Sequence, residues 1–354
     1  MNGRIIVSKN NLVHNLSEIK KYAKKSKIMS VIKSNGYGHG MLEVASALEG
    51  SDAFAVATIE EAIYLRENKV KKEIVCLQGF SNKHESIYCS KNNIRPVIHC
   101  PEQISIINET SFDLPLSLWI KIDTGMNRLG FKNIDLPKII EQIGKKIKHP
   151  VGVMTHLACA DENDDNFSNN QIKTFENIIK ETNAELSILN SAGVIKYWKN
   201  FNNISEWIRP GIMLYGVSPC NNNEKINIKP AMTLTAPVIS IKECKKGERI
   251  GYGHTYHFTK DTRIASLGIG YGDGFSRSLS NVGRVFYKDN FFNIVGRVSM
   301  DILTVDIGDK KIELGEDFEL WGNNISIKDV SDSINTIPYE LMCALGNRLK
   351  REYI

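Results

Sequence analysis

A chain of 354 residues is longer than most single domains, so one large barrel with an appended unit, or two domains, is expected. Apolar residues make up 42% of the chain and charged residues 24%, which excludes a mainly disordered protein and indicates a full hydrophobic core. The formal net charge of +5 is small for this length and argues against a nucleic-acid partner.

The first predicted element is an amphipathic helix near the N-terminus. Leu12, Leu16, Ile19 and Ala23 recur at helical spacing, and the basic run at residues 20–27 overlaps the same segment. We interpret this run as a solvated helix face.

Eight short apolar runs follow, alternating with longer amphipathic stretches. The runs comprise residues 28–32, 53–57, 74–77, 95–98, 116–122, 151–155, 186–189 and 206–208. Segments between them, such as 59–68 and 171–182, space apolar residues three and four apart, as helices that pack on a sheet do. Repeated strand and helix units predict an α/β protein whose residues 1–228 form a TIM-like (β/α)8 barrel.

The pattern changes after a polar stretch at residues 220–225. Apolar and polar residues then alternate with period two in five segments separated by Gly, Asp and Asn turns, at residues 233–241, 263–269, 284–287, 294–307 and 318–327. Residues 229–354 are therefore predicted to form a β-strand-rich C-terminal domain.

The cysteines and the absence of targeting signals indicate the compartment. Seven cysteines, with no CxxC pair, predict reduced thiols that are mostly buried and neither a disulfide framework nor a metal site. His156 and Cys159 have the spacing of two metal ligands, but no second pair accompanies them, so core packing is the preferred interpretation. No stretch matches a membrane span or the apolar core of a signal peptide, and a cytoplasmic protein is expected.

The carboxyl ends of barrel strands are where active sites lie, and the first run ends in Lys33. A lysine in a partly apolar mouth has its charged form disfavoured, so its amine can form an imine with an aldehyde cofactor. A surface lysine whose head reaches water is an equally good reading of the position alone. The glycine-rich turn that follows matches neither a phosphate-loop nor a dinucleotide-binding pattern.

Polar residues also follow four later runs, so five strand ends converge on one mouth. These segments are residues 121–130, 155–161, 190–193 and 209–212. Ser191 with the backbone amides of Gly211 and Ile212 is the kind of set that binds a phosphate at the late strands of a barrel. Each segment alone could be a turn or a helix cap, but together they favour a phosphate-bearing cofactor.

The motifs, taken in order, resemble those of the alanine racemases, which are fold-type III pyridoxal-phosphate enzymes. The similarity spans essentially the whole chain. The matching motifs are KSNGYGHG at 33–40, DTGMNR at 123–128, RPGIMLYG at 209–216, GYG at 251–253, GYGDG at 270–274 and GRVSMD at 296–301.

The resemblance implies a two-base racemase. Lys33 would carry pyridoxal 5'-phosphate covalently and act as the base on one face of the substrate. Racemisation needs a second base on the opposite face, and the family places there the tyrosine that matches Tyr252, supplied by the partner subunit of a homodimer. His156 and Arg209 would form a hydrogen-bonded chain toward this tyrosine, and Asp301 would lie beside it as a supporting acid.

The remaining family roles concern the cofactor and the substrate. The phosphate contacts match Tyr37, Ser191, Gly211, Ile212 and Tyr339, and Arg209 would also contact the pyridine nitrogen. The residues that match substrate positions are Arg128 and the partner's Met300, at the substrate carboxylate, and Tyr271, at the entrance. Lys121 matches a lysine that is often carbamylated, where the new carboxylate orients Arg128. One departure is Ser299, where the family usually has cysteine.

The resemblance makes alanine the expected substrate and the supply of D-alanine for peptidoglycan the expected role. Serine is the closest alternative, since one hydroxyl changes binding only modestly in a small pocket. A non-catalytic cofactor carrier on the same barrel would not need the second domain, and a basic amino-acid decarboxylase is not expected to have the turn at 37–40. A metal hydrolase would want two histidines on the first strand, where only Lys33 stands.

Overall fold

A computed structural model describes residues 2–23, 25–132, 136–162, 166–180, 182–201, 205–220 and 226–354. The chain divides into two compact units. The barrel unit comprises residues 12–36 and 44–228, and the β-rich unit comprises residues 1–11, 37–43 and 229–354. The first strand, β1 (Arg4–Val7), therefore belongs with the C-terminal part of the chain, a pairing that the sequence did not indicate.

The barrel unit contains eight parallel strands that close on themselves in chain order, as predicted. The strands are β2 (Lys27–Val31), β3 (Ala53–Val56), β4 (Glu73–Cys76), β5 (Ile94–Ile98), β6 (Trp119–Lys121), β7 (Gly152–Met154), β8 (Glu185–Asn190) and β9 (Trp207–Arg209). The last strand pairs with the first, with Ile28 opposite Ile208. The strand β3 is buried along its whole length, which explains its continuous apolar sequence, whereas the equally buried β5 contains Arg95, whose charge is paired with Glu73 and Glu185.

One helix precedes the first barrel strand, and further helices connect the barrel strands. They are α1 (Lys9–Ala23), α2 (Lys33–Tyr37), α3 (Met41–Ala47), α4 (Ile59–Glu67), α5 (Lys83–Lys91), α6 (Pro101–Glu109), α7 (Leu136–Ile143), α8 (Asn166–Ile179) and α9 (Ser191–Phe201). Among them, α2 is a single left-handed turn. The predicted first helix is confirmed, since α1 buries its apolar stripe and exposes Lys20 and Lys21. Thr58 and Asn82 cap α4 and α5 by accepting hydrogen bonds from backbone amides of the first turn.

In its described residues, the β-rich unit contains a mainly antiparallel sheet of eight strands and a separate sheet of two short strands. Its strands are β1, β10 (Met232–Cys244), β11 (Arg249–Ile250), β12 (Tyr256–His257), β13 (Thr262–Leu267), β14 (Arg284–Tyr287), β15 (Asn290–Asn293), β16 (Leu303–Asp306), β17 (Asp317–Trp321) and β18 (Lys350–Tyr353). The long strand β10 pairs antiparallel with β1, β13 and β17, while β1 and β18 pair in parallel. The predicted β-rich domain is confirmed.

Two strand predictions in this unit are wrong at their ends. Within residues 294–307, only the strand β16 and the isolated bridge at Ile294 pair with another strand. The backbone turns at Gly296, where φ is +76°, and stays irregular to residue 302. Of residues 318–327, the strand ends at Trp321, and helix α10 (Ile327–Asp332) begins after its cap Ser326. A second unpredicted helix is α11 (Pro338–Ala344).

Two other sequence expectations concern cysteines and membranes. All seven cysteines lie in the described ranges and none forms a disulfide, but only Cys76, Cys89 and Cys220 are buried, so the expectation of mostly buried thiols is wrong. Within the described ranges, no helix has the length and apolar character needed to cross a membrane.

Candidate active site

The carboxyl ends of five barrel strands carry the predicted barrel residues. Lys33 follows β2 after the buried Ile32, and Lys121 is the last residue of β6. His156 lies two residues beyond β7, Ser191 directly follows β8, and Arg209 is the last residue of β9. In a closed parallel barrel these ends lie at one mouth.

The chain leaves Lys33 through one turn of left-handed backbone. Ser34, Asn35, Gly36 and Tyr37 have φ values of 53°, 53°, 61° and 50°, although only one of the four is glycine. Left-handed backbone costs about 1–2 kcal/mol per non-glycine residue. Such strain occurs where the surrounding structure enforces it, often at functional sites. The turn therefore sets the direction in which the chain departs from Lys33.

Glu61 on α4 holds this turn. Its Oε1 accepts a hydrogen bond from the backbone amide of Ser34 at 2.6 Å, and its Oε2 accepts one from the amide of Ala57 at 2.7 Å. One carboxylate thus joins the segment after β2 to the segment after β3. Hydrogen bonds to a charged acceptor are stronger than neutral ones, so Glu61 fixes the backbone beside Lys33.

Replacing Glu61 with glutamine is expected to lower the free energy of unfolding by about 1–3 kcal/mol, because a side-chain amide offers one acceptor oxygen to two amide donors. The affinity for the cofactor should fall as well. Thermal unfolding and fluorescence titration measure the two effects. Glu60→Gln is the matched control, since Glu60 is the exposed neighbour; equal effects in both variants would contradict this role for Glu61.

Arg209 is buried and makes its hydrogen bonds inside the barrel. Nη1 donates to Ser187 Oγ at 2.5 Å, Nη2 donates to the carbonyl of Thr155 at 2.6 Å, and Nη2 lies 3.2 Å from His156 Nδ1. Burial lowers the pKa of Arg209 to about 10, so the guanidinium stays charged at neutral pH. The group is a fixed positive charge at the carboxyl end of β9.

The contact with Arg209 determines the proton position on His156. A guanidinium has only donors, so Nδ1 of His156 must be the acceptor. Burial, followed by the positive charges of Arg209 and Lys121, holds the pKa of His156 well below its usual value. His156 is therefore a neutral imidazole at neutral pH, with its proton on Nε2, and it can donate from that atom.

Lys121 belongs to the same cluster of cations. Burial, then Arg209 and Arg128, lower the pKa of Lys121 to about 8. Arg128 is exposed on the loop after β6, where Asp123 Oδ1 accepts hydrogen bonds from the amides of Gly125 and Asn127. An excess of positive charge at the mouth favours anionic ligands.

Ser191 starts α9 and contacts the segment after β9. Its Oγ accepts a hydrogen bond from the amide of Gly211 at 2.8 Å, and its side chain is buried. The Ser191 hydroxyl keeps its own proton for a further acceptor. Ile212 begins a short 3-10 turn that ends at Tyr215.

The other predicted residues lie on the β-rich unit. Tyr37 is buried with its ring 5.8 Å from the ring of Tyr339, and burial, followed by the charge of Tyr339, raises the pKa of Tyr37 far above its usual value. It is therefore a neutral phenol that can donate a hydrogen bond. Tyr252 is 71% exposed and Met300 is 52% exposed.

Backbone and side-chain contacts position the exposed residues of the β-rich unit. The amide of Tyr271 donates to the carbonyl of Ser299 at 3.0 Å, and Asp301 accepts a hydrogen bond from Arg348 at 2.6 Å. The turn that carries Tyr252 lies against Arg297, which a Cβ on Gly253 would meet at 2.7 Å. These turns form one exposed surface with aromatic and apolar members.

Several residues around the site were not anticipated from the sequence. Gln171, Ser187 and Arg348 contact predicted site residues, and Glu61 accepts a hydrogen bond from the amide of Ser34 beside Lys33, yet none of the four directly follows a barrel strand. Thr155 was visible in the run at 151–155 but had no assigned role. No spacing in the sequence marks such supporting residues.

A closed barrel with a lysine among cations at its mouth, followed by a β-rich unit, agrees with the barrel class of pyridoxal-phosphate-dependent enzymes that the sequence motifs resemble. The family model for the alanine racemase N-terminal domain matches residues 7–219, and the model for the C-terminal domain matches residues 231–353. The chain belongs to the alanine racemase family. It is thus a pyridoxal-phosphate-dependent racemase, an isomerase.

Relatives and solved structures agree with this assignment. An alanine racemase of Coxiella burnetii is 41% identical over 349 residues, covering 96% of this chain and 95% of the relative. The biosynthetic alanine racemase of Pseudomonas aeruginosa has a TM-score of 0.93 at 32% identity and covers 100% of both chains. The Bartonella henselae alanine racemase, solved with covalently bound pyridoxal phosphate, has a TM-score of 0.90 at 29% identity, again over 100% of both chains.

Proposed function

We propose that this enzyme interconverts L-alanine and D-alanine by a two-base mechanism. The observation that carries the proposal is the contact of Arg209 with Nδ1 of His156 inside a cluster of cations that includes Lys33. That arrangement provides a neutral imidazole with a directed Nε2 proton beside a lysine at the barrel mouth. The curated relatives are alanine racemases, which supports alanine as the substrate.

The residues at the mouth fit pyridoxal phosphate. The cations around His156 offset the negative charge of a phosphate, and Ser191 retains a proton that it can donate to a phosphate oxygen. We assign Lys33 to the covalent attachment of the cofactor. The phosphate contacts that we propose are Tyr37, Ser191, Gly211, Ile212 and Tyr339. When bound, the cofactor supplies an electron-withdrawing ring that makes the Cα proton of the substrate acidic.

The two bases act on opposite faces of the substrate. The Lys33 amine removes or returns a proton on one face, and the phenol of Tyr252 of the partner subunit does so on the other. His156 donates from Nε2 toward that phenol, which stabilises its anion. Arg209 keeps His156 in this tautomer. As a permanent cation, it would hydrogen-bond the ring nitrogen of the bound cofactor without giving up its proton.

Substrate binding uses residues of both kinds of unit. Arg128 of one subunit and the partner's Met300 are proposed to hold the substrate carboxylate. Tyr271 is proposed to lie at the entrance for the substrate. Asp301 is proposed to support the second base beside Tyr252. The ion pair of Asp301 with Arg348 fixes the position of its carboxylate.

A homodimer follows from this assignment. Exposed Tyr252, Tyr271 and Met300 form a surface with aromatic and apolar members, of the kind that another subunit covers. We propose that residues 1–228 form the cofactor-binding barrel, that Tyr339 adds a phosphate contact, and that residues 229–354 complete the active site of the partner. The supply of D-alanine for peptidoglycan and a cytoplasmic location stay predictions of the family resemblance.

Incubation with pyridoxal phosphate and a panel of L-amino acids, followed by chiral chromatography, tests the proposed function. D-alanine should form faster than any other D-amino acid. Faster formation of D-serine would move the assignment to a serine racemase. An amine product would indicate a decarboxylase, and the absence of any product would indicate a carrier.

The shared site predicts complementation between two inactive variants. A purified heterodimer of one Lys33→Ala chain and one Tyr252→Phe chain is expected to regain about half of the wild-type activity, because one of its two sites then has both bases. Differently tagged chains allow its isolation.

The reciprocal heterodimer is the control for complementation. It pairs a wild-type chain with a chain that carries both substitutions, so each shared site lacks one base and the activity should be lost. If this heterodimer kept half of the activity and the first one had none, each subunit would complete its own site.

Lys121 is predicted to react with carbon dioxide. The neutral amine attacks the carbon of CO2, an N–C bond forms as one C=O π bond opens and its electron pair moves to oxygen, and the amine loses a proton to solvent. Because the pKa of Lys121 is about 8, the reactive amine becomes the major form as pH rises through that value. A carbamate signal in carbon-13 NMR with labelled bicarbonate should appear in the wild type and not in Lys121→Ala; its absence from both would leave Arg128 without the proposed partner.

A further inference from the structure

Gln171 on α8 joins two loops at the barrel mouth. Its Nε2 donates to the carbonyl of His156 at 3.0 Å and to Thr124 Oγ1 at 3.2 Å, while its Oε1 accepts from the amide of Ala158 at 2.9 Å. Thr124 in turn lies 2.8 Å from the hydroxyl of Thr155. The side chain is 1% exposed, so water does not replace these partners.

The two loops that Gln171 joins carry different site residues. The loop after β7 carries His156, and the loop after β6 carries Thr124 and, four residues later, Arg128. A direct hydrogen bond to the main chain of His156 fixes the position from which its ring reaches Arg209. One buried amide therefore sets the relative position of a proposed proton-transfer residue and a proposed substrate-binding loop.

A second buried glutamine makes the same kind of connection elsewhere in the barrel. Gln103 on α6 accepts from the amide of His99 at 2.8 Å and donates to the carbonyls of Gln78 and Phe80 at 3.2 and 3.0 Å. It joins the loops after β4 and β5 and is 4% exposed. Those loops carry none of the residues assigned to the site. Gln103 therefore stabilises the loops as Gln171 does but positions no proposed site residue.

We propose that Gln171 is a positioning residue that holds His156 in hydrogen-bonding range of Arg209. The proposal rests on the role given to His156 in the proposed function. Its chemistry is one of orientation, since Gln171 contacts the carbonyl of His156 and not the ring. A displacement of about 1 Å at such a residue can reduce turnover by up to 100-fold.

The test compares Gln171→Met with Gln103→Met, which remove the same buried amide from two equivalent connections. Both variants should have a lower midpoint of thermal unfolding. Only Gln171→Met should lower kcat, by about 10-fold or more, whereas Gln103→Met should keep the wild-type value. Equal kcat losses in the two variants, or none in Gln171→Met, would overturn the proposal.

Nitrogen-15 NMR of the imidazoles in the cofactor-free protein supplies a readout that does not depend on turnover, with the His156 signal assigned from its absence in a His156 variant. In the wild type and in Gln103→Met, His156 should remain neutral between roughly pH 5 and 8, with Nδ1 as acceptor. In Gln171→Met it should begin to take up a proton in this range, because the ring becomes more hydrated.

A milder substitution at Gln171 allows the test if Gln171→Met does not fold, and a His156 variant separates the positioning of His156 from its proposed role. Gln171→Asn retains a buried amide with a shorter reach, and it should show the same changes to a smaller degree if Gln171→Met does not fold. An unchanged His156 signal in a folded Gln171 variant counts against the proposal. If instead the His156 signal changes but a His156→Gln enzyme turns over at the wild-type rate, the positioning stands and the proposed role of His156 fails.

Discussion

Replacing Lys33 with alanine is expected to abolish racemisation, with a loss of more than about 10⁴-fold, because the variant lacks both the covalent anchor of the cofactor and one base. Chiral chromatography measures the turnover. The absorbance spectrum of the protein with pyridoxal phosphate measures the attachment, and the cofactor should be removed from the variant by dialysis.

Lys27→Ala is the matched control for this experiment. Lys27 and Lys33 lie at opposite ends of β2, and Lys27 is exposed at the end away from the site. Its replacement should leave the spectrum and the turnover unchanged. If the Lys33→Ala enzyme racemised alanine at the wild-type rate, Lys33 would not take part in the mechanism. Another residue would then have to attach the cofactor.

Replacing Tyr252 with phenylalanine is expected to slow proton abstraction from one enantiomer of alanine by about 10²–10⁴-fold, with a smaller effect on the other enantiomer. Each base serves one face of the substrate, so removal of the phenol leaves the Lys33 face able to exchange its proton. Incorporation of solvent deuterium into L-alanine and D-alanine, measured separately at early times, distinguishes the two faces. Net racemisation alone cannot do so, since both directions require both bases.

Tyr256→Phe is the control for the phenol. Tyr256 is four residues further along, with its ring 5.3 Å from that of Phe258 in a small hydrophobic cluster of the β-rich unit. Loss of its hydroxyl should not alter deuterium incorporation into either enantiomer. Equal slowing of both enantiomers in Tyr252→Phe would contradict the two-base assignment and would point to a role in binding.

The barrel could be predicted from the sequence because each strand has a local signal. Buried parallel strands read as short apolar runs, and all eight predicted runs overlap the observed strands, with Leu116 lying before the start of β6. The candidate site followed from the same signal, because the residues after each run meet at one end of a barrel. Lys33, His156 and Arg209 could therefore be grouped before their contacts were known.

The residues that support the site could not be predicted in this way. Glu61, Gln103 and Gln171 join neighbouring loops through hydrogen bonds to the backbone, and backbone contacts impose no pattern on the sequence. The strand β1 pairs with segments more than 200 residues away along the chain, so no neighbouring turn sequence predicts its pairing. The sequence indicated a glycine-rich turn after Lys33 but not its left-handed backbone at Ser34 and Tyr37, since residues of these types usually adopt right-handed or extended backbone.

The pairing of β9 with β2 has a consequence for how the enzyme is made. The ribosome synthesises Lys33 early, but Arg209 and Gly211 emerge only when the barrel sequence is nearly complete, and β9 must then dock beside β2. A nascent chain that stops before this point has the lysine without the buried guanidinium. Stable loading with vitamin B6 should therefore wait until translation has passed the last barrel strand.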